Sequence, residues 1–534
     1  MTIFTIDRFV ETAGDETVVD MLVIGGGITG AAVAYEAASR GLRVALVEAD
    51  DFGAATSAAT GKLIHGGLRY LKQLEIGLVR ESLKERRILS DIAPNLIDVY
   101  PIVLPDSDLV VRLGLTAYDV LSFDRNRVDD RNKRIPRHRR LPTDEALYYD
   151  CLMISPERLT LAFVRSAAAA GALVSNHTRA EELLMEGRQV TGARVRDRFG
   201  ASHVVRARVV VNATGPWAYD TLTESPVTAG SAGQPPTVRS EGIYLITRQL
   251  TDVMTLHVTP HGHFSCAPWR GHSMIGPTEK AYRGAVSDWR VTQESVEEFI
   301  AAINSAGLLP VEIGLDDVLH AYGGLRPLTE DAGGDTYNAS RAAEVVDHAK
   351  SDHGGIHGLI TATGGKYTTS RAFAHQVVEI AAPKLGRAMG RSRTSKTWLH
   401  GCSTGPIEHY VAASRSRNPD FSAETVRHVA RHHGTEHDAV LDLARSTPEL
   451  ATPLDADGEL LAQVVVAARH ESARTLSDIL MRRTGLGTLG LPSDEILDAV
   501  ARVAGQELGW DDARRAAELD ATVSSLTLPW HQPA

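Results

Sequence analysis

The spacing of hydrophobic positions changes period several times along the chain, and each change predicts an element. Asp20-Met21-Leu22-Val23-Ile24 and Val44-Ala45-Leu46-Val47 are short apolar runs of the kind a buried parallel strand needs. Between them, Ala31 to Ser39 reads as a small-residue helix closed by Arg40-Gly41. From Leu74 to Leu89 apolar residues recur at helical spacing between Glu75, Arg80, Glu81, Lys84, Glu85 and Arg86, which predicts an amphipathic helix. Residues 99–123 alternate apolar runs with Pro101, Pro105 and Gly114 and end in an apolar face of Leu113, Leu115, Tyr118 and Leu121. Pro156 to Gly171 predicts a helix with Leu159, Leu161, Phe163 and Val164 inward, and Ala172 to Ala180 predicts one strand. Gln189 to Arg196 and His203 to Val211 alternate as a hairpin around Phe199-Gly200. Strand-like patches fill 238–330, with one helix from Gln293 to Asn304. From about residue 392 the pattern becomes helical. Pro419, Pro448, Pro453 and Pro492 separate predicted helices at Ala423 to His433, Glu459 to Glu471, Ser477 to Arg482 and Glu495 to Leu508.

The first strand runs into Gly25-Gly26-Gly27-Ile28-Thr29-Gly30, a G-x-G-x-x-G turn, and the second ends on Glu48. Gly25 permits the tight turn, Gly27 lets backbone approach a pyrophosphate, and Gly30 lets helix pack close to strand. The helix N-terminus, at Ile28 and Thr29, offers N–H groups to phosphates, and Glu48 can accept from ribose hydroxyls. Strand, glycine turn, helix, strand and acidic end in this order predict a dinucleotide site. Two later segments return to it. Val209-Val210-Val211-Asn212-Ala213-Thr214-Gly215 is a β-branched strand ending where Gly215 lets backbone touch a ligand. Ile360-Thr361-Ala362-Thr363-Gly364-Gly365-Lys366 is an apolar strand ending in two glycines and a cation. Lys366 is expected to face an anion.

Length and charge narrow the class. A chain of 534 residues exceeds one simple core, so two or three domains are expected. The formal net charge of -11 argues against a nucleic-acid binder. Cys151, Cys266 and Cys402 lie far apart with no C-x-x-C, the pattern of a reducing compartment without a structural zinc or disulfide framework. Residues 1–20 carry Asp7, Glu11, Asp15 and Glu16 and do not read as a signal peptide. No run of about 18 apolar residues predicts a membrane span. A basic run from Arg125 to Arg140 is either a solvated loop or a patch that meets anionic headgroups beside an apolar helix. His428, His432, His433 and His437 show no carboxylate motif beside them and are read as core or surface residues, with no metal site expected.

The segment Ala55-Thr56-Ser57-Ala58-Ala59-Thr60-Gly61-Lys62-Leu63-Ile64-His65-Gly66-Gly67-Leu68-Arg69-Tyr70-Leu71 puts small hydroxyl residues, Lys and a Gly-Gly pair in a loop suited to a planar cofactor. It closely resembles the flavin-binding region of FAD-dependent glycerol-3-phosphate dehydrogenases, within the D-amino-acid-oxidase-like flavoproteins. Asp478-Ile479-Leu480-Met481-Arg482-Arg483-Thr484-Gly485 and Glu507-Leu508-Gly509-Trp510 resemble the C-terminal domain of the same family, so the resemblance spans nearly the whole chain. It implies an α/β fold: a Rossmann-like FAD-binding domain, an inserted α+β substrate domain with an antiparallel sheet, and an α-helical C-terminal domain. The implied boundaries are 18–385 for the FAD-dependent region, with substrate segments at about 75–150 and 225–340, and 392–525 for the helical domain. FAD would be held by Gly25, Gly27, Ile28, Thr29, Gly30, Glu48, Thr56, Ser57, Lys62, Leu63, His65, Gly66, Gly67, Ala180, Ala213, Gly215, Gly365 and Lys366.

The resemblance further implies oxidation of a phosphorylated secondary alcohol, sn-glycerol 3-phosphate or a related polyol phosphate, with electrons passed on to a quinone. It implies a cytoplasmic location, a peripheral contact with the membrane and a homodimer. The phosphate grip would come from Arg69, Tyr70, Arg326 of Leu325-Arg326-Pro327-Leu328, Arg341 of Ala339-Ser340-Arg341, and Lys366. Arg326, Tyr244 and His65 are the candidate catalytic residues. Three segments depart from the family pattern. A basic-Gly-x-His segment reads Glu241-Gly242-Ile243-Tyr244 here, removing both the cation and the imidazole. Ile154-Ser155-Pro156-Glu157-Arg158-Leu159 replaces Val-Asp-Asp-x-Arg-Leu, and Ala58-Ala59-Thr60-Gly61 replaces a serine-rich flavin loop. Tyr, with a reference pKa near 10, is a poor base. Four readings therefore stay open: another polyol phosphate as substrate, O2 as acceptor, a flavin-binding homologue without catalysis, and an NAD-dependent enzyme. The Ala-Thr-Gly and Gly-Gly-Lys segments argue against the last.

Overall fold

The computed structural model describes residues 2–72, 75–105, 108–122, 135–142, 144–223, 238–259, 262–307, 309, 311–326, 343–350 and 355–531. Two sheets and a helical C-terminal unit make up the chain. The first sheet has the order Ala343–Asp347, Leu359–Gly364, Ser202–Asn212, Glu16–Ile24, Val44–Val47, Leu173–Ser175, with Thr178–Glu186 and Gln189–Asp197 added antiparallel at one end of Ser202–Asn212. Four of its pairings are parallel, and their registers align the strand ends. Ile24 lies opposite both Asn212 and Val47, Val47 opposite Ser175, and Asn212 opposite Thr361. Gly25, Glu48, Ala213 and the Gly364 turn therefore emerge on one edge, where open α/β sheets bind ligands.

Period-2 alternation decides which face each side chain covers. Met21, Val23, Val44 and Leu46 pack with the helices Ile28–Ser39, Pro156–Ala169 and Ser370–Ala381, while Leu22, Ile24, Ala45 and Val47 pack on the opposite side. One expected strand is broken. Ala172 to Ala180 divides into Leu173–Ser175 and Thr178–Glu186, because His177 sits at φ +50, which no continuing strand tolerates.

The second sheet is largely antiparallel. Its order is Lys280–Tyr282, Arg239–Arg248, His272–Gly276, Gly262–Trp269, Met254–Thr259, Ile97–Leu104, Ala146–Met153, Leu63–Ile64, and Val318–Arg326 also pairs with Arg239–Arg248. Ile243 and Leu245 meet the helix Gln293–Ala306, and Tyr244 and Ile246 point to the other face. Leu63–Ile64 carries the chain from the glycine-turn region straight into this sheet.

The C-terminal unit contains the helices Ile407–Arg417, Ala423–His433, His437–Ser446, Leu461–His470, Asp494–Leu508 and Asp512–Leu526. Ser422, Ser493 and Asp511 each cap the N-terminus that follows with a side-chain oxygen. The predicted helix at Ser477 to Arg482 is a π-helical turn, Asp478–Arg483. Its arginines tie it to the rest of the chain. Arg482 and Arg483 both reach the buried Asp51 of the first sheet's loop, at 2.6 and 2.7 Å, and Asp478 receives His177 at 2.8 Å. Arg158–Glu471 and Arg165–Glu436, each 2.6 Å, close the same seam. Removing one partner of such a buried pair typically costs about 3–5 kcal/mol, because the other charge stays buried.

Candidate functional site

A cavity of about 1780 Å³ opens along the edge where the first sheet's strands end and runs beneath the second sheet. That exceeds the 300–1,000 Å³ of typical small-ligand pockets and suits an extended ligand with a second molecule beside it. The glycine turn forms one end. A Cβ on Gly25 would lie 2.5 Å from the Ala213 carbonyl oxygen, and one on Gly30 would lie 1.8 Å from the Gly25 carbonyl oxygen. No side chain fits at either place. Gly27 caps the helix Ile28–Ser39, whose first amide donates to Ser57 Oγ at 2.9 Å. Glu48 accepts from the Gly26 and Asp50 amides, at 2.6 and 2.8 Å, and burial raises its pKa.

Gly25, Gly27, Ile28, Thr29, Glu48, Thr56, Ser57, Leu63, His65, Gly67, Ala180, Ala213, Gly215, Gly365 and Lys366 all line this space. So do Tyr70, Tyr244 and Arg326. Gly30 stands behind the turn as a packing contact. Gly66 also faces away: a Cβ there would lie 2.4 Å from Leu83 and 2.5 Å from the Tyr118 hydroxyl, and its amide donates to that hydroxyl at 2.7 Å. Lys62 is a further correction. At φ +58 its ammonium turns from the cavity and sits 4.8 Å above the Trp269 ring and 5.4 Å from that of Tyr322. Burial, with Arg270 nearby, lowers its pKa. Arg341 and the Arg69 side chain lie outside the described residues, as do residues 125–134 of the basic run.

Two cationic groups reach the cavity from opposite sheets. Arg326 donates to Ser240 Oγ at 3.3 Å and to the Thr278 carbonyl at 3.4 Å, with Glu279 at 3.6 Å. It fits only because Gly242 has no side chain: a Cβ there would come within 2.0 Å of Arg326 Nη2. The register places Gly242 opposite Gly324 and Ser240 opposite Arg326. Lys366 Nζ lies 3.5 Å from the centre of the Tyr70 ring and donates to Ser82 Oγ at 3.4 Å. Tyr244 stacks on Tyr322 at 5.2 Å between ring centres, and the Tyr322 hydroxyl donates to the Thr60 carbonyl at 3.0 Å. His257, His263, Ser265, Trp289 and Asp150 line the cavity as well. None was read from the sequence. The alternation of Met254–Thr259 and Gly262–Trp269 was the available signal for the two histidines.

The model of the FAD dependent oxidoreductase family matches residues 20–379, and that of the C-terminal domain of alpha-glycerophosphate oxidase matches residues 392–515. Glycerol-3-phosphate dehydrogenase of Mycobacterium leprae is 33% identical over 96% of this chain and 89% of its own length. The chain belongs to the FAD-dependent glycerol-3-phosphate dehydrogenase family. Aerobic glycerol-3-phosphate dehydrogenase of Bacillus subtilis is 30% identical, covering 87% of each chain. The glycerol-3-phosphate dehydrogenase of Bacillus halodurans, solved in complex with FAD, superposes with a TM-score of 0.74 at 25% identity over 97% of both chains. Like the family, this chain is an FAD-dependent oxidoreductase. Its residues fit that cofactor. Gly215, at φ +59, lines the cavity, and a Cβ there would meet no protein atom within 4 Å, so it leaves the cavity wall open to a cofactor. The Ile28 amide is taken by Ser57 Oγ, and the Thr29 and Gly30 amides of the same first turn, which have no intrahelical acceptor, are the donors a pyrophosphate could take.

Proposed function

We propose that the chain oxidises sn-glycerol 3-phosphate, or a closely related polyol phosphate, to the ketone. The observation that carries this reading is that Arg326 and Lys366 both line the cavity that the glycine turn also lines. Arg supplies planar donors and Lys a point charge, the two forms in which proteins grip a phosphate. Bound FAD supplies the two-electron acceptor for the hydrogen on the substrate carbon. The protein's share is placement and proton transfer. Arg326, Lys366 and Tyr70 orient the phosphate, and His65, an imidazole in the cavity wall, takes the hydroxyl proton. Tyr244 replaces the family's imidazole and shapes the pocket against Tyr322. Anaerobic mixing with a panel of polyol phosphates tests the reading. Glycerol 3-phosphate should bleach the flavin band and glycerol should not. Equal bleaching by both would remove the phosphate grip from the mechanism.

The electron acceptor in this proposal is a quinone reached from a membrane surface. No helix among the described residues is long and apolar enough to cross a membrane. However, the helix Leu109–Leu121 leaves Leu109, Val110, Leu113 and Val120 exposed, at 61–73%. Val110, Val111, Leu113 and Gly114 of that helix also line the cavity. One helix thus offers both an apolar surface for lipid and a wall of the redox space. Leu109→Glu and Val120→Glu, which lie outside the cavity lining, should abolish flotation with liposomes and slow quinone reduction while leaving anaerobic flavin bleaching intact. The homodimer, the cytoplasmic face and the division at 18–385 and 392–525 belong to the same proposal.

A further inference from the structure

The histidines of the C-terminal unit do have a carboxylate partner. It lies far along the sequence. His428 and His432 stand one turn apart on the helix Ala423–His433, with ring centres 4.0 Å apart. Glu459, fully buried, accepts from His428 Nε2 through Oε2, and the same oxygen is 3.8 Å from His432 Nδ1. The three potential ligand atoms all lie within 4.8 Å of one another. We propose that His428, His432 and Glu459 form a binding site for a divalent transition metal of the zinc class, which ties this helix to the loop before Leu461–His470.

An ordinary His–Glu ion pair accounts for only part of the cluster. It uses His428 Nε2 and one carboxylate oxygen. His432 Nδ1 and Glu459 Oε1 are buried and have no hydrogen-bond partner among the described residues. Buried polar atoms in native proteins are nearly always satisfied, and a metal satisfies both at once. Two imidazoles and one carboxylate suit zinc, cobalt or nickel, whereas calcium and magnesium prefer all-oxygen sets. With bonds of about 2.0–2.2 Å, ligand atoms in a tetrahedral site sit about 3.4 Å apart, so metal entry closes the 3.8 Å His432–Glu459 separation slightly and opens the direct His428–Glu459 hydrogen bond.

The carboxylate is held in advance. Asp455 Oδ1 accepts from the Gly458 and Glu459 amides, at 2.9 and 3.0 Å. Arg270, at the tip of a hairpin from the second sheet, bonds Asp455 and Asp457 at 2.6 and 2.5 Å. A metal here would stiffen the seam between the helical unit and that sheet. A second cluster, Asp50, His177 and Asp478, has similar composition but already holds a cation: Arg482 donates to Asp478 at 2.7 Å.

The test uses the full-length, FAD-loaded protein, stripped with a chelator and titrated with Zn2+ alone by calorimetry, with thermal unfolding followed in parallel. One equivalent should bind and raise the unfolding temperature. His432→Asn and Glu459→Gln should each weaken binding by more than about a hundred-fold, beyond the roughly 10–100-fold that loss of an outer-shell partner costs. Failure of the unsubstituted protein to bind one equivalent would overturn the assignment, whatever the variants do. Undiminished binding by folded variants, as judged by flavin content, would overturn it equally.

Discussion

Replacing Gly242 by Ala tests whether the place of Arg326 in the cavity depends on a missing side chain. A methyl group there would lie 2.0 Å from Arg326 Nη2 and 2.5 Å from its Cζ. Ordinary contact begins near about 3.5 Å, so the guanidinium must shift by roughly 1.5 Å. Such a shift breaks the hydrogen bonds to Ser240 and the Thr278 carbonyl. The clash falls on the far end of a flexible side chain, so the fold and flavin content should survive. What is lost is the aim of the cation. A hydrogen bond from a charged group is worth about 1.5–3 kcal/mol, which predicts a loss of about ten- to a hundred-fold in kcat/KM for the phosphorylated substrate. Arg326→Ala sets the ceiling. Because both changes act through one group, the double variant should lose little more than Arg326→Ala alone. Stopped-flow flavin reduction on the three variants measures this. Wild-type kcat/KM in Gly242→Ala, or fully additive losses in the double variant, would refute the reasoning.

Gly27→Val should yield colourless or insoluble protein, because the side chain enters the phosphate approach beside Ser57 Oγ, already 3.1 Å from a Cβ at this position; absorbance at the flavin band checks it. Tyr244→Phe keeps the stack on Tyr322 and should slow flavin reduction by about ten-fold or less, as one hydrogen bond of about 1 kcal/mol requires. A thousand-fold collapse would make Tyr244 the proton acceptor. Stability should fall in acid in two windows, measured by calorimetry against pH. His320, whose pKa burial and Lys62 depress to about 4 from 6.5, contributes stability present above pH 6.5 and lost as pH falls toward 4. At Glu436 burial raises the pKa, but His400 and Arg165 outweigh it and hold it at about 2 against 4.5, so its contribution is lost between pH 4.5 and 2. Glu436→Gln should make the lower window shallower and leave the upper one unchanged.

What the sequence revealed divides along a physical line. The glycine turn, its helix and the Glu48 strand were legible because each is fixed by neighbours within a few residues, through period and the steric needs of Gly25 and Gly30. The helices Ala423–His433 and Asp494–Leu508 were legible for the same reason, their Ser caps lying immediately before them. Lys62 was read as a cofactor ligand from the resemblance of its segment to a flavin-binding region. Its direction is set instead by a positive φ and by Trp269 and Tyr322, two side chains from distant strands. Gly242 looked like the remnant of a lost motif, and its use appears only once the strand register sets Arg326 across from Ser240, 86 residues earlier. The same holds for the histidine pair. Their one-turn spacing was plain, but Glu459 lies 31 residues beyond His428 and meets it only after the Asp455 turn folds back. Local rules place a side chain on a face of its own element. They do not say which other face it will meet, and both the proposed phosphate grip and the His–Glu cluster are made of such meetings.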